Sequence, residues 1–232
     1  MCEYAPAAAP RSEVLHHGLV ERGVNLVVPI KRLDRAKSRL RGAVPAEQHA
    51  DLVLALLVDT VTAAIAADGV RRVLVVCEDE RIPAALLGTG VECVDERGLP
   101  GLNAALSFGA ERLRTPSGTV GALQADLPAL RSADLTAAID EAAGRRAYCA
   151  DRPGTGTTLL LAAPGTALNP RFGPGSADAH AATGAVRAGV SLASLRCDVD
   201  TEDDLGVAAE LGLGAATGKF TRTFDLRCTI QP

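Results

Sequence analysis

The sequence predicts one doubly wound α/β domain, and three observations carry that prediction. Short apolar runs that leave no room for alternation, VNLVVPI (Val24–Ile30), RRVLVVC (Arg71–Cys77) and TVGALQA (Thr119–Ala125), read as strands covered on both faces. Stretches at helical spacing separate them, the longest from about Ala46 to Ala67, where Leu52, Val53, Leu56, Leu57 and Val61 recur. The chain has 232 residues, 47% of them apolar, enough to bury one sizeable core. Alternating strands and helices of this kind build a largely parallel sheet with helices on both sides.

Residues 1–23 form a leader without a basic stretch ahead of an apolar one, so it is not a secretory signal. The domain is expected over 24–214. After the first strand comes a basic segment, then the long helix and the strand ending at Cys77. A short helix near Asp79–Leu87 leads to VECV (Val91–Val94), a further strand, and the loop ERGLPG opens a helix from Leu102. The strand from Thr119 runs into Asp126-Leu-Pro128, and Ser132 is placed to cap a helix through Ala143. AYCAD (Ala147–Asp151) and TTLLLAA (Thr157–Ala163) flank RPGTG as strand, turn and strand, an antiparallel β-hairpin excursion in the second half. The Gly/Pro-rich loop NPRFGPGSAD precedes a weaker helix. SLASLRCDVD (Ser191–Asp200) is read as the last strand and TEDDLGVAAEL as the last helix. The tail, 215–232, shows no clear period.

Composition removes several function classes. A net charge of −4, aromatics at 3% and no Trp argue against a nucleic-acid partner, which calls for basic surface and stacking rings. The six cysteines form no C-x-x-C pair, so neither a zinc site nor a disulfide scaffold is indicated, and those within apolar runs act as small hydrophobes. No apolar run approaches a membrane span, so no membrane association and a cytoplasmic location are expected.

Against this acidic background KRLDRAKSRLR (Lys31–Arg41) stands out: six of its eleven residues are Lys or Arg. It follows a strand end, where open parallel sheets bind ligands, so Lys31, Lys37 and Arg39 are candidates to neutralise an anion such as a nucleotide triphosphate. The alternative is a surface helix with Leu33, Ala36 and Leu40 on its buried side. The segment is not a phosphate-binding G-x-x-x-x-G-K-[ST] loop, and no G-x-G-x-x-G opens a helix after a strand.

The carboxylates are the second feature. Asp126 lies just past a strand end, while Asp198 and Asp200, two apart, share one side of the final predicted strand. A hard divalent ion such as Mg²⁺ takes one or two carboxylates plus substrate phosphates. Asp126 and Asp198 are candidate ligands with Asp200 as a helper, although Asp200 and Thr201 also suit the cap of the following helix. Third come two small-residue loops. DRPGTGT (Asp151–Thr157) offers backbone N–H groups and hydroxyls, and RFGPGS (Arg171–Ser176) adds an Arg and a candidate helix cap, Ser176. Both also read as ordinary turns. The four histidines form no nucleophilic arrangement in sequence.

The segments PIKRLDRAKSRL, ADLPAL, ADRPGTGT, ALNPRFGPGS and LRCDVDT, in this order, resemble the phosphoenolpyruvate or 2-phospho-L-lactate guanylyltransferases of coenzyme F-420 biosynthesis, over about Val24 to Gly214. The resemblance implies a Rossmann-like nucleotidyltransferase fold of GT-A type with a mixed sheet. It implies Mg²⁺ on Asp126 and Asp198, phosphoenolpyruvate on Thr157, Gly173 and Ser176, the triphosphate of GTP on Lys31, Lys37 and Arg39, and a base contact from Asn103 in GLNAAL. One departure is Ala125, where family members often carry Gly. The implied reaction is guanylyl transfer from GTP to phosphoenolpyruvate, giving enolpyruvyl-2-diphospho-5′-guanosine and pyrophosphate, with a downstream deazaflavin transferase taking the product. Three alternatives stay open: 2-phospho-L-lactate or 3-phosphoglycerate as acceptor, a sugar-phosphate nucleotidyltransferase, and a nucleotide-sensing domain without catalysis.

Overall fold

The computed structural model describes residues 23–34, 40, 44–96 and 98–223. Within them seven strands pair into one sheet: β1 (Val24–Pro29), β2 (Val70–Cys77), β3 (Glu92–Asp95), β4 (Thr119–Leu123), β5 (Ala147–Ala150), β6 (Thr157–Leu161) and β7 (Val186–Arg187). Their order across the sheet is β3-β2-β1-β4-β6-β5-β7. β1 pairs in parallel with β2 and β4, and β2 with β3. β6 runs antiparallel to both β4 and β5, while β5 and β7 are parallel. The doubly wound α/β class with a hairpin excursion is therefore the observed fold.

All six residues of β1 are buried, as its unbroken apolar run requires. Its side chains divide by parity. Val24, Leu26 and Val28 face one core layer with Leu57, Val61 and Ala64 of α1 (His49–Ile65) and Leu135 and Ala138 of α4 (Ser132–Ala142). Val27 faces the other layer, with Leu106, Ala110 and Leu113 of α3 (Leu102–Leu113). Asn25 would be an anomaly in such a strand, but its Nδ2 donates to the Leu113 carbonyl at 3.0 Å, satisfying a free group at the α3 C-terminus. Gly109 lets α3 lie close on the sheet: a Cβ there would come within 2.6 Å of the Val27 side chain. A short α2 (Arg81–Ala85) joins β2 to β3, and α5 (Ser176–Ala181) follows the loop after β6.

Four expectations are corrected. Ser191–Asp200 is not a strand: it contains α6 (Ala193–Arg196) and then an extended piece whose Cys197 and Val199 are buried in a third core cluster. Apolar alternation mimics a strand there, and the actual edge strand is the two-residue β7. Ser132 is the first residue of α4, not its cap; Arg131 holds that place, without a side-chain bond to the helix. The tail carries α8 (Ala215–Thr223), packed against α1, where no period was read. Asp59 on α1 explains it, since its carboxylate accepts the Ala216 and Thr217 amides at 2.9 and 2.7 Å and so caps α8 from another part of the chain. Finally, the helical stretch Ala46–Ile65 does meet the length and apolarity of a membrane span, but 56% of that window is buried inside the protein, as for a core helix.

Candidate active site

The chain passes from β3 through α3 to β4, which lies on the other side of β1. Between β1 and β4 the winding reverses, and the crevice beyond their carboxyl ends is where doubly wound sheets take ligands. The register pairs Val27 with Ala122. Four residues further along each strand are Lys31 and Asp126, so the first basic residue and the first candidate carboxylate leave the same edge.

Asp126 is 5% exposed. Its backbone is held on both sides: its carbonyl accepts the Val199 N–H at 3.0 Å, and the next amide, Leu127, donates to the Thr60 hydroxyl at 2.9 Å. The Val199 bond brings Asp198 to Asp126 without a strand. Burial of Cys197 and Val199 turns Asp198 to the opposite side, where it is half-buried, and Asp200 is exposed. Asp200 does not cap the next helix. α7 (Glu202–Leu211) is capped by Thr201 in a reciprocal box with Asp204, which also accepts the Asp200 amide at 3.3 Å. Partial burial would raise the Asp204 carboxyl, but bonds from Thr201 and Arg152 hold it below its ordinary range.

Lys31 is exposed. The basic segment begins under restraint, since the Leu33 amide donates to Asp79 at 3.4 Å and Arg32 pairs with Asp34 at 3.2 Å. Leu33 and Leu40 are both fully buried, anchoring the segment at two points. Lys37 and Arg39 lie outside the described residues. Glu96, which the sequence did not single out, is buried just past β3; burial and Glu78 push its carboxyl up, with Lys31 opposing.

The two small-residue loops come together on the far side of the crevice. Asp151 organises the first: its Oδ1 accepts the Gly154 and Thr155 amides at 2.7 and 2.8 Å, and its Oδ2 the Gly156 amide at 2.8 Å. These N–H groups, expected to serve a ligand, are occupied by the protein itself. The second loop behaves alike at its helix start, where the Ser176 amide donates to Gly173 and the Ala177 amide to Thr155. Ser176 is the first residue of α5 and Gly175 its cap, so the expected capping role is not realised. What remains to offer is side chains. Thr157 and Ser176, both buried, bring their hydroxyls within 3.1 Å, and His180 Nδ1 lies 3.0 Å from Thr157 Oγ1. Gly173 has φ +134, which favours glycine, and a Cβ there would meet nothing within 4 Å, so it borders open space.

Asn103 joins the two sides. Its Nδ2 donates to the Phe172 carbonyl at 2.9 Å and its Oδ1 accepts the Phe172 amide at 2.8 Å, so α3 clamps the second loop. One Nδ2–H is left over for another acceptor. The first loop is tied to the Asp198 segment as well. Arg152 donates to Asp204 at 2.8 Å, and the Arg196 guanidinium reaches the Ala150, Asp151 and Arg152 carbonyls. Thr60, Asp151, His180, Arg196 and Asp204 were all missed as site builders. Only DRPGTGT held a usable signal, since Asp followed by Gly-rich sequence favours a carboxylate-to-backbone turn. Burial pushes the Cys149 thiol up to about 11 and Cys77 to about 12, so neither is a nucleophile.

Such an edge can neutralise phosphates with Lys31, hold a cation with carboxylates and orient an acid with hydroxyls. Two hard oxygen donors, from the ends of β4 and of the segment before α7, fit a divalent ion that completes its shell with phosphate oxygens and water. Among the described residues no group of three or more His, Cys, Asp or Glu could hold a metal unaided.

Comparison with known proteins gives the family and the fold. The model of the family described as guanylyl transferase CofC like matches residues 24–232, running through the tail that the sequence reading left outside. A phosphoenolpyruvate guanylyltransferase of Salinispora arenicola is 50% identical over 201 residues, covering 85% of this chain and 93% of its own. Another from Streptomyces scabiei is 49% identical over 200 residues, covering 83% and 93%. In structure, the chain is similar to a putative nucleotide-diphospho-sugar transferase from Desulfovibrio desulfuricans G20, at TM-score 0.63 and 13% identity, over 88% of this chain and 96% of that one. It is also similar to a 4-diphosphocytidyl-2C-methyl-D-erythritol synthase, at TM-score 0.56 and 14% identity, over 82% and 99%. These two likenesses establish the fold.

Proposed function

The chain belongs to the guanylyl transferase CofC-like family, and from that premise we propose that it moves the guanylyl group of GTP onto the phosphate of phosphoenolpyruvate, in coenzyme F-420 biosynthesis. A phosphate oxygen of phosphoenolpyruvate attacks the α-phosphorus of GTP in line. The new P–O bond forms as the bond to the β-phosphate breaks, releasing pyrophosphate and enolpyruvyl-2-diphospho-5′-guanosine. The nucleophile is anionic at neutral pH and needs no general base, so catalysis consists of placing two polyanions together and neutralising charge.

In this reading Lys31, Lys37 and Arg39 hold the triphosphate and stabilise the departing pyrophosphate. Asn103 turns its remaining N–H to the nucleotide. Thr157 and Ser176 orient phosphoenolpyruvate, and Gly173 leaves room beside it. Asp126 and Asp198 hold Mg²⁺, which when bound supplies positive charge to the phosphate oxygens. The observation that carries the reading is the tie between the two halves. Arg152–Asp204 and the Arg196 fork fasten the acceptor loop to the segment bearing Asp198, while Val199 fastens that segment to Asp126. An acceptor on Thr157 and a nucleotide at the β1–β4 crevice are thereby held in one frame. The downstream partner is a deazaflavin transferase that takes the product, and the setting is cytoplasmic.

Pyrophosphate release from GTP and Mg²⁺, with phosphoenolpyruvate and 2-phospho-L-lactate offered separately and the transferase coupled, tests this. Turnover with phosphoenolpyruvate is expected. Turnover with 2-phospho-L-lactate alone reassigns the acceptor, and silence with both in a protein that binds GTP overturns the reading.

A further inference from the structure

Thr157 and Ser176 supply the hydroxyls of the acceptor side, but His180 decides what those hydroxyls can offer. Its side chain is fully buried, edge-on to Phe172 with ring centroids 5.0 Å apart and 6.4 Å from the Tyr148 ring. Nε2 accepts the Arg171 backbone N–H at 3.0 Å. A ring nitrogen that accepts carries no proton, so a neutral His180 bears its proton on Nδ1. The charged groups that face the ring are Arg146 and Arg171, and Tyr148 is the other titratable neighbour. Burial and the two arginines hold the imidazole down to about 4, so it is neutral at physiological pH.

The direction of that one proton fixes the rest. Nδ1–H donates to Thr157 Oγ1 at 3.0 Å, and Ser176 Oγ lies 3.1 Å from the same oxygen. Two hydroxyls then have two protons and one contact between them, so one O–H stays available whichever of the pair donates to the other. In the opposite tautomer Thr157 would donate to Nδ1 and Ser176 to Thr157, using both protons and leaving only lone pairs for an acidic ligand. Oxygens of a carboxylate or phosphate need donors.

We propose that His180 is a positioning residue that, through its backbone-fixed tautomer, keeps the Thr157–Ser176 pair poised to donate to an acid oxygen of the acceptor substrate. This rests on the assignment of Thr157 and Ser176 to phosphoenolpyruvate. H180F preserves the ring and its contact with Phe172 but has no ring nitrogen. H180N sets an amide N–H near the place of Nδ1.

Steady-state kinetics on the full chain, with folding checked by circular dichroism, is the test. H180F is expected to raise the KM for phosphoenolpyruvate about tenfold, with the KM for GTP changed by less than about twofold, and H180N to recover most of the loss. Adding H180F to T157V should change the KM less than about twofold, because His180 acts through Thr157. Nitrogen-15 NMR of the wild type should show a neutral His180 protonated on Nδ1. An unchanged phosphoenolpyruvate KM in folded H180F, equal rises for both substrates, independent effects of H180F and T157V, or an Nε2–H tautomer would overturn the proposal. If H180F does not fold, the tautomer and the KM pair for H180N decide. Should T157V raise the KM while H180F does not, the acceptor assignment stands and the role of His180 falls. Should T157V itself leave it unchanged, the assignment fails and takes the proposal with it.

Discussion

The two sides of the crevice are built on different principles. On the proposed nucleotide side the candidate groups are charges at strand ends: Lys31 is exposed, and its neighbour Arg32 pairs with exposed Asp34. On the proposed acceptor side little is left loose. Asp151 takes three backbone amides, Asn103 grips Phe172 at both its polar atoms, and His180 joins Arg171 to Thr157. A triphosphate is a large polyanion that tolerates soft, screened attraction. A small acid must be held by a few directed donors, which work only when the surrounding backbone is already in place.

The sharpest break is expected between the two sides, at Asp126. D126N should cut turnover on the order of a hundredfold or more while the protein stays folded, in line with the loss of a main electrostatic stabiliser. Near-normal turnover in rapid-quench assays would remove Asp126 from the chemistry.

Next in size is the acceptor loop. D151A leaves three amides without their carboxylate, so unfolding stability should drop by about 1–3 kcal/mol in urea titrations. The KM for phosphoenolpyruvate should rise far more than that for GTP. Equal rises would erase the distinction between the two sides.

The third contrast is with pH. His180 is held at about 4 against an ordinary value of 6.5, so the unfolded chain binds the additional proton between those values. The stability contributed by the neutral ring is complete above pH 6.5 and is lost as pH falls towards 4. Chemical denaturation across that window should show H180N losing less stability on acidification than wild type. A parallel decline would place the acid sensitivity elsewhere.

The smallest effect belongs to the proposed nucleotide side. R32A removes an exposed, solvent-screened ion pair and should leave the thermal melting midpoint essentially where it is in the wild type. A larger loss would mean that the basic segment is as rigidly built as the acceptor loops.

Legibility followed the same division. β1, β2 and β4 were readable because strands buried on both faces leave unbroken apolar runs, and the position of Asp126 at the sheet edge was readable because it follows one of them. Asp198 was singled out for a geometry it does not have: the alternation of Leu195, Cys197 and Val199 serves two core clusters, not a ladder. α8 was invisible because its start depends on Asp59, a residue of α1. His180 carried no signal in a weak six-residue helix, since its meaning lies in partners from other elements.

The sequence alone determined the α/β class, the parallel half of the sheet and the sites where charge gathers, because periodicity and net charge are local properties that survive in any compact arrangement. Only the tertiary structure decided which N–H groups remain available, which hydroxyls meet and which way a buried proton points. Those depend on donors and acceptors far apart in the chain, and a hydrogen bond exists only once both partners have been brought within about 3 Å of one another.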